Sequence, residues 1–454
     1  MVDDIVYYIS IFLCISLSSY YKKIENADAK RNYGVGLGIL VTCLICGQHI
    51  YHTLLLVWGN VVIIKCCDKR YVHQLSMVYT WTYLLYMHFN LVSSVYVKWL
   101  HQTMALRLVG LAFELSSVEK IHSSSMSSLK LPIGDSDIPP VEPSAVDIIS
   151  YTCFFIGLHK GPYYKWKIFY DHFKSPFGVM GDCRIITAQK LNKAFVCGLG
   201  YVVLSLRYSS KIYYEDDFYV QHGSDYRFLY NVPQLASYFL YSQMLMMLCT
   251  SVYTESGFGV YPAKCEPVPG HGPTKRDSLL KLVANTPDAA LEQEYNFAML
   301  KCFQNEKLLW GPKMKDTVNG WDLPTRYWFD TNIYHNLIRS TKEVRKASTF
   351  FAWSVWLGPT LQQLIFSSTL WVYIHLEAEY SGLYDTTGST KTAWNIGFTI
   401  MRLFCLIYLT PCIAISDPQT ALRYYNSLFW MFHFILLIFL VGAVVAYKTI
   451  GRRQ

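Results

Sequence analysis

The chain has 454 residues, of which 52% are hydrophobic and only 16% charged, with a formal net charge of +8. A soluble domain carries roughly a quarter charged residues, so this composition argues against a string of soluble domains and for a single membrane-embedded all-α body over residues 1–454. The basic residues lie between apolar segments or at their ends, as at Lys22, Lys23, Lys30, Arg31, Lys69, Arg70, Arg452 and Arg453. That pattern argues against a nucleic-acid partner and fits loops that face an anionic membrane leaflet.

In chain order, the first apolar segment covers 5–21. It follows two aspartates and no small-residue cleavage site succeeds it, so it is expected to be a retained span. The basic cluster from Lys22 to Arg31 then places the N-terminus on the lumenal side. Further apolar segments fall at 35–46, 49–64, 75–97, 104–115, 146–158, 194–206, 228–252, 347–375, 392–415 and 428–447, giving about eleven membrane segments in all. Several are shorter than the roughly 20 residues that cross a bilayer, which predicts half-spanning or tilted helices packed against protein. Lys448, Arg452 and Arg453 after the last segment predict a cytosolic C-terminus. Two polar stretches rich in Pro, Gly and Ser, 123–144 and 262–287, are expected to be loops, the first a mobile one.

Cysteines offer one recognisable spacing. Cys43-x-x-Cys46 stands near His49 and His52, a redox or zinc arrangement. It lies in an apolar run and has no second pair, so small buried side chains are the simpler account and no metal is expected. Among ionisable residues in or beside apolar segments, Arg107 and Glu114 are seven apart, on one helical face. Both are expected to look inward, as structural partners or as substrate contacts.

Four blocks then occur in order. Tyr151–Gly157 leads to Gly161-Pro162-Tyr163-Tyr164-Lys165-Trp166. Ser256-Gly257-Phe258-Gly259-Val260-Tyr261-Pro262 follows. Next come Trp321-Asp322, Tyr327-Trp328 and Asn332-Ile333-Tyr334, and finally Trp356-Leu357-Gly358. On residue type alone, Tyr163, Tyr164, Lys165 and Trp166 would suit an aromatic belt at the membrane interface. Taken together, the blocks resemble the lysophosphatidylinositol acyltransferase branch of the membrane-bound O-acyltransferases.

That resemblance implies a multi-helix disc in the endoplasmic reticulum membrane, with a central tunnel. Acyl-CoA would enter as co-substrate from the cytosolic side, a lysophospholipid laterally from the bilayer, and no resident cofactor is expected. The family's functional residues are a His in Trp-His-Gly and an Asn in Trp-Asn. Both are substituted here, by Leu357 and Asp322. By resemblance, Trp321, Trp356, Gly358, Gly161, Pro162, Tyr163 and Tyr164 would line the substrate path.

The substitutions have a chemical meaning. An alcohol attacks a thioester slowly unless a base takes its proton, help typically worth 10²–10⁴-fold. Leucine cannot provide it. Asp322 loses the amide donor of Asn and gains negative charge when ionised. The expectation is therefore a lipid-binding relative with impaired acyl transfer. An active enzyme using Asp322 as base is the alternative, since a carboxylate shut away from water takes up a proton more readily. His375 lies 18 residues past Leu357, about 27 Å on a continuous helix, and would reach the same centre only if Pro359 folds the chain back. His335, 13 residues after Asp322, is expected to be an interfacial polar residue. A transporter is the third reading, suggested by the short helices but lacking a repeated half.

Overall fold

The computed structural model describes residues 2–91, 94–125, 142–174, 183–275, 286, 288, 292–337, 339–383 and 388–451. Five stretches among them are long and apolar enough to cross a membrane: Val2–Lys22, Ala27–Cys66, Ser224–Ser256, Gly388–Ala414 and Met431–Thr449. The last shows why. Phe434, Ile438, Val441 and Val445 all stand exposed at spacings of four, three and four, so a continuous apolar stripe faces outward, as lipid contact requires.

Three apolar segments depart from the expectation. The segment at 75–97 is divided between the helices Val72–Asn90 and Val95–Ser125. The segment at 146–158 is helical only over Ala145–Thr152, about 12 Å of rise, after which the backbone runs irregularly to Trp166. The segment at 347–375 is not one helix but two, Lys342–Leu357 and Leu361–Leu383. The polar stretch at 123–144 lies outside the described residues over 126–141. Of 262–287, the described part forms two small antiparallel pairings, Tyr261–Pro262 with Tyr295–Asn296 and Pro267–Val268 with Gly272–Pro273.

The chain packs as two compact units. One comprises Met1–Ala194, Leu245–Cys302 and Leu323–Asn336; the other comprises Phe195–Met244, Phe303–Asp322 and Leu337–Gln454. Each is threaded by chain segments distant in sequence.

Arg107 organises the first unit. It is fully buried on the helix Val95–Ser125, and its guanidinium donates to the carbonyls of Tyr151, Thr152, Phe154 and Ile156. The expected inward orientation holds, and its partners are backbone oxygens. Glu114 turns inward on the same helix and accepts from the Trp166 amide at 3.0 Å. Interrupted backbone in a membrane protein must find its hydrogen bonds within protein, and Arg107 meets four carbonyls of such a stretch. The helix Ala27–Cys46 lies directly on this stretch because Gly38 has no side chain: a Cβ there would sit 1.7 Å from the Cys153 carbonyl oxygen.

The second unit has an aromatic core around Tyr408, Tyr425 and Phe432. Several of its polar side chains pair with one another. Asn231 accepts from Tyr213 and donates to Tyr424, both at 2.7 Å. His433 is held between Thr369 at 3.0 Å and Tyr408 at 2.9 Å.

Candidate functional site

In the second unit, two buried charges fix the segment that delivers Trp321 and Asp322. Glu377 accepts from the Met314 and Lys315 amides at 2.7 and 3.2 Å, so a carboxylate caps the positive end of the short helix Met314–Gly320. Arg402 donates to the carbonyls of Leu308 and Leu309 at 2.9 and 3.1 Å and to the Thr317 hydroxyl at 3.3 Å. The Gly320 carbonyl accepts from Gln304 at 2.9 Å. These contacts leave little freedom in where the helix ends.

It ends at Trp321. The indole stacks on Tyr238 with centroids 5.8 Å apart and planes 15° apart, and meets Phe303 at 4.9 Å. Asp322 follows with φ of 41°, in the left-handed region that Asp and Asn tolerate better than other side-chain-bearing residues. The position therefore has a backbone reason to carry Asp or Asn, independent of any chemistry. Tyr238 gave no signal in the sequence, being one tyrosine among 36.

Trp356 and Leu357 close the helix Lys342–Leu357, which begins at a Thr341 cap. Gly358 has φ of 104°, strained for any residue with a Cβ, and its amide donates to the Ser354 and Val355 carbonyls. Pro359 cannot continue the helix, and Thr360 caps the next one through the Gln363 amide at 3.1 Å. Trp353 and Phe366 would be about 20 Å apart on a continuous helix, yet their rings are 6.3 Å apart. The chain reverses at Gly358, and Leu357 sits beside the turn of a helical hairpin.

That reversal does not rescue His375. It lies 14 residues into the second helix from Leu361, about 21 Å from the turn, with its ring toward Glu379 at 3.9 Å. His335 is exposed and bonded to the Asp330 carbonyl at 2.8 Å. Leu357 itself offers only hydrocarbon. Beside Trp321, Asp322 and the stacked Tyr238 both carry groups able to exchange a proton.

Gly161, Pro162, Tyr163 and Tyr164 belong to the first unit. Tyr163 and Tyr164 are 5% and 0% exposed, and Trp166 is 2% exposed, so they form no interface belt. The rings pack inward. Tyr164 donates to the Ile156 carbonyl at 3.1 Å and accepts on its own carbonyl from Tyr151 at 2.6 Å. The Pro162 carbonyl accepts from Tyr253, and the Arg107 guanidinium lies 4.8 Å from the Tyr164 ring centre. Elsewhere in this unit, Cys46 Sγ contacts Thr53, while His52 pairs with the Tyr83 hydroxyl at 2.8 Å.

Comparison with known proteins agrees with the four blocks. The chain is 25% identical over 455 residues to a membrane-bound acylglycerophosphatidylinositol O-acyltransferase of Drosophila melanogaster, covering 94% of this chain and 89% of the relative. It is 25% identical to the Xenopus laevis protein so described, covering 97% and 94%, and 22% identical to the human one, covering 100% and 96%. The model of the membrane-bound O-acyltransferase family matches residues 64–413, which include Gly161, Asp322 and Leu357. With most of its length inside that match, the chain belongs to the membrane-bound O-acyltransferase family.

Proposed function

We propose that the protein binds acyl-CoA and lysophosphatidylinositol-type lipids in the service of phospholipid acyl-chain remodelling, with its own acyl transfer impaired. The substrate class is carried over from the named activity of its relatives. The impairment rests on one observation: the side chain beside the hairpin turn, at the position that by resemblance is the family's histidine, is Leu357. A hydrocarbon there accepts no proton from an incoming alcohol.

The reading carries with it a disc of about eleven membrane segments around a tunnel, in the endoplasmic reticulum membrane. The N-terminus would be lumenal and the C-terminus cytosolic, by the charge of the flanking loops. Trp321, Trp356, Gly358 and the Gly161–Tyr164 stretch would shape the substrate path.

A second reading, in which Asp322 serves as base, draws support from residue type: a carboxylate, unlike the hydrocarbon of Leu357, can accept a proton. One experiment separates the two. The purified chain is given labelled acyl-CoA and lysophosphatidylinositol beside Leu357→His, Asp322→Asn and the double variant. The expected result is binding of both lipids with background turnover in the unmodified chain, and a gain of roughly 10²–10⁴-fold in the double variant. Brisk turnover by the unmodified chain that disappears in Asp322→Ala would overturn the proposal and establish the carboxylate as base.

A further inference from the structure

Just past the reversal at Gly358, the helix Leu361–Leu383 opens with two glutamines. Gln362 is 2% exposed. Its Nε2 donates to the Ile415 carbonyl at 3.3 Å, which fixes the orientation of the amide, since turning it over would set oxygen against oxygen. Its Oε1 is buried and has no hydrogen-bond partner among the described residues, and the same holds for Gln363 Nε2. Phe366, whose ring meets Trp353 of the preceding helix, lies four residues after Gln362 and three after Gln363. Both glutamines stand within about one turn of the reversal that Leu357 borders, and Gln362 shares the buried side of its helix, four residues from Phe366.

A buried acceptor left unsatisfied costs about 1–3 kcal/mol, and an apolar segment gains nothing by carrying one unless a donor meets it. We infer that Gln362 is a lipid-binding residue: its Oε1 accepts a hydrogen bond from the free glycerol hydroxyl of a lysophospholipid held at the hairpin turn. This inference rests on the lipid-binding reading above and names its contact. An amide oxygen accepts a hydrogen bond but takes no proton at neutral pH. It holds the hydroxyl without activating it, so selectivity for a lysolipid would outlast the loss of the base.

A hydroxyl donor is supplied either by the glycerol or by an inositol ring, and the test distinguishes them. Full-length protein in detergent is titrated with lysophosphatidylinositol, with the same lipid lacking the glycerol hydroxyl, and with lysophosphatidic acid, which has the hydroxyl and no ring. The unmodified chain should bind lysophosphatidylinositol roughly tenfold more tightly than the deoxy lipid. Gln362→Met, close in volume but without an amide, should lose that preference and weaken lysophosphatidic acid comparably, leaving affinity for the deoxy lipid unchanged. Equal binding of the two inositol lipids by the unmodified chain overturns the inference, with no variant needed. So does a Gln362→Met effect that persists with the deoxy lipid and is absent with lysophosphatidic acid, which would assign the donor to the ring. Absence of lipid binding altogether would defeat the lipid-binding reading itself, an outcome distinct from binding that ignores the hydroxyl.

Discussion

Two interruptions in the helical backbone, one in each unit, are resolved in opposite ways. At 151–156, the first unit sends Arg107 into the break, and four carbonyls are satisfied by a single guanidinium. At Gly358–Thr360, the second unit turns the chain back on itself and leaves a glutamine oxygen buried beside the turn without a protein donor among the described residues. The carbonyls of the first break are met by one of the protein's own side chains, which serves the fold. The second keeps a hydrogen-bonding group in hand, close to Leu357. Unsatisfied polarity in an apolar setting costs stability, so where it persists it marks the better candidate for ligand contact.

The most forceful way to break this comparison is Arg107→Met. Removing the charge leaves four carbonyls short of a donor and should cost about 3–5 kcal/mol, seen as a large fall in the thermal midpoint or a failure to accumulate folded protein. A change under about 1 kcal/mol would show that the first break does not depend on the arginine.

Backbone and chemistry at Asp322 separate at a smaller scale. Its φ of 41° predicts that Asp322→Gly is more stable than Asp322→Ala by about 1 kcal/mol, because both remove the carboxylate and only alanine strains the turn. Equal stability of the two in chemical denaturation would leave the left-handed geometry without energetic weight.

The smallest effect belongs to the surface. Glu142 bridges Lys69 at 2.8 Å and Lys65 at 3.3 Å, and its hydrogen bond from Lys69 holds its carboxyl below the ordinary value of 4.5. A carboxylate whose pKa is lowered on folding adds stability at neutral pH and loses it as the pH falls through that lowered value. With its side chain 56% exposed, solvent and salt screen the pairs, so Glu142→Gln should cost about 0.2–1 kcal/mol at pH 7. The cost should vanish in acid and at high salt. A cost that persists in acid would assign the stabilisation to packing.

The order of the four blocks was legible in the chain, as was the hydrocarbon at position 357, because both are properties of residue type. Composition and apolar runs likewise marked a helical membrane protein. The hairpin was not legible: Gly358-Pro359 ends a helix equally well in a straight kink or a full reversal, and only the packing of Phe366 against Trp353 chooses between them. The inward face of Arg107 could be read from helical spacing, but its partners could not, since they lie some 45 residues away in the chain. Gln362 and Tyr238 were missed for the same cause. A side chain's hydrogen-bond satisfaction and its neighbours are long-range facts, and sequence periodicity reports only which way a residue points along its own helix. What the amino acids determined alone was the family frame and the hydrocarbon at position 357; which polar groups find partners within the fold was decided by tertiary packing.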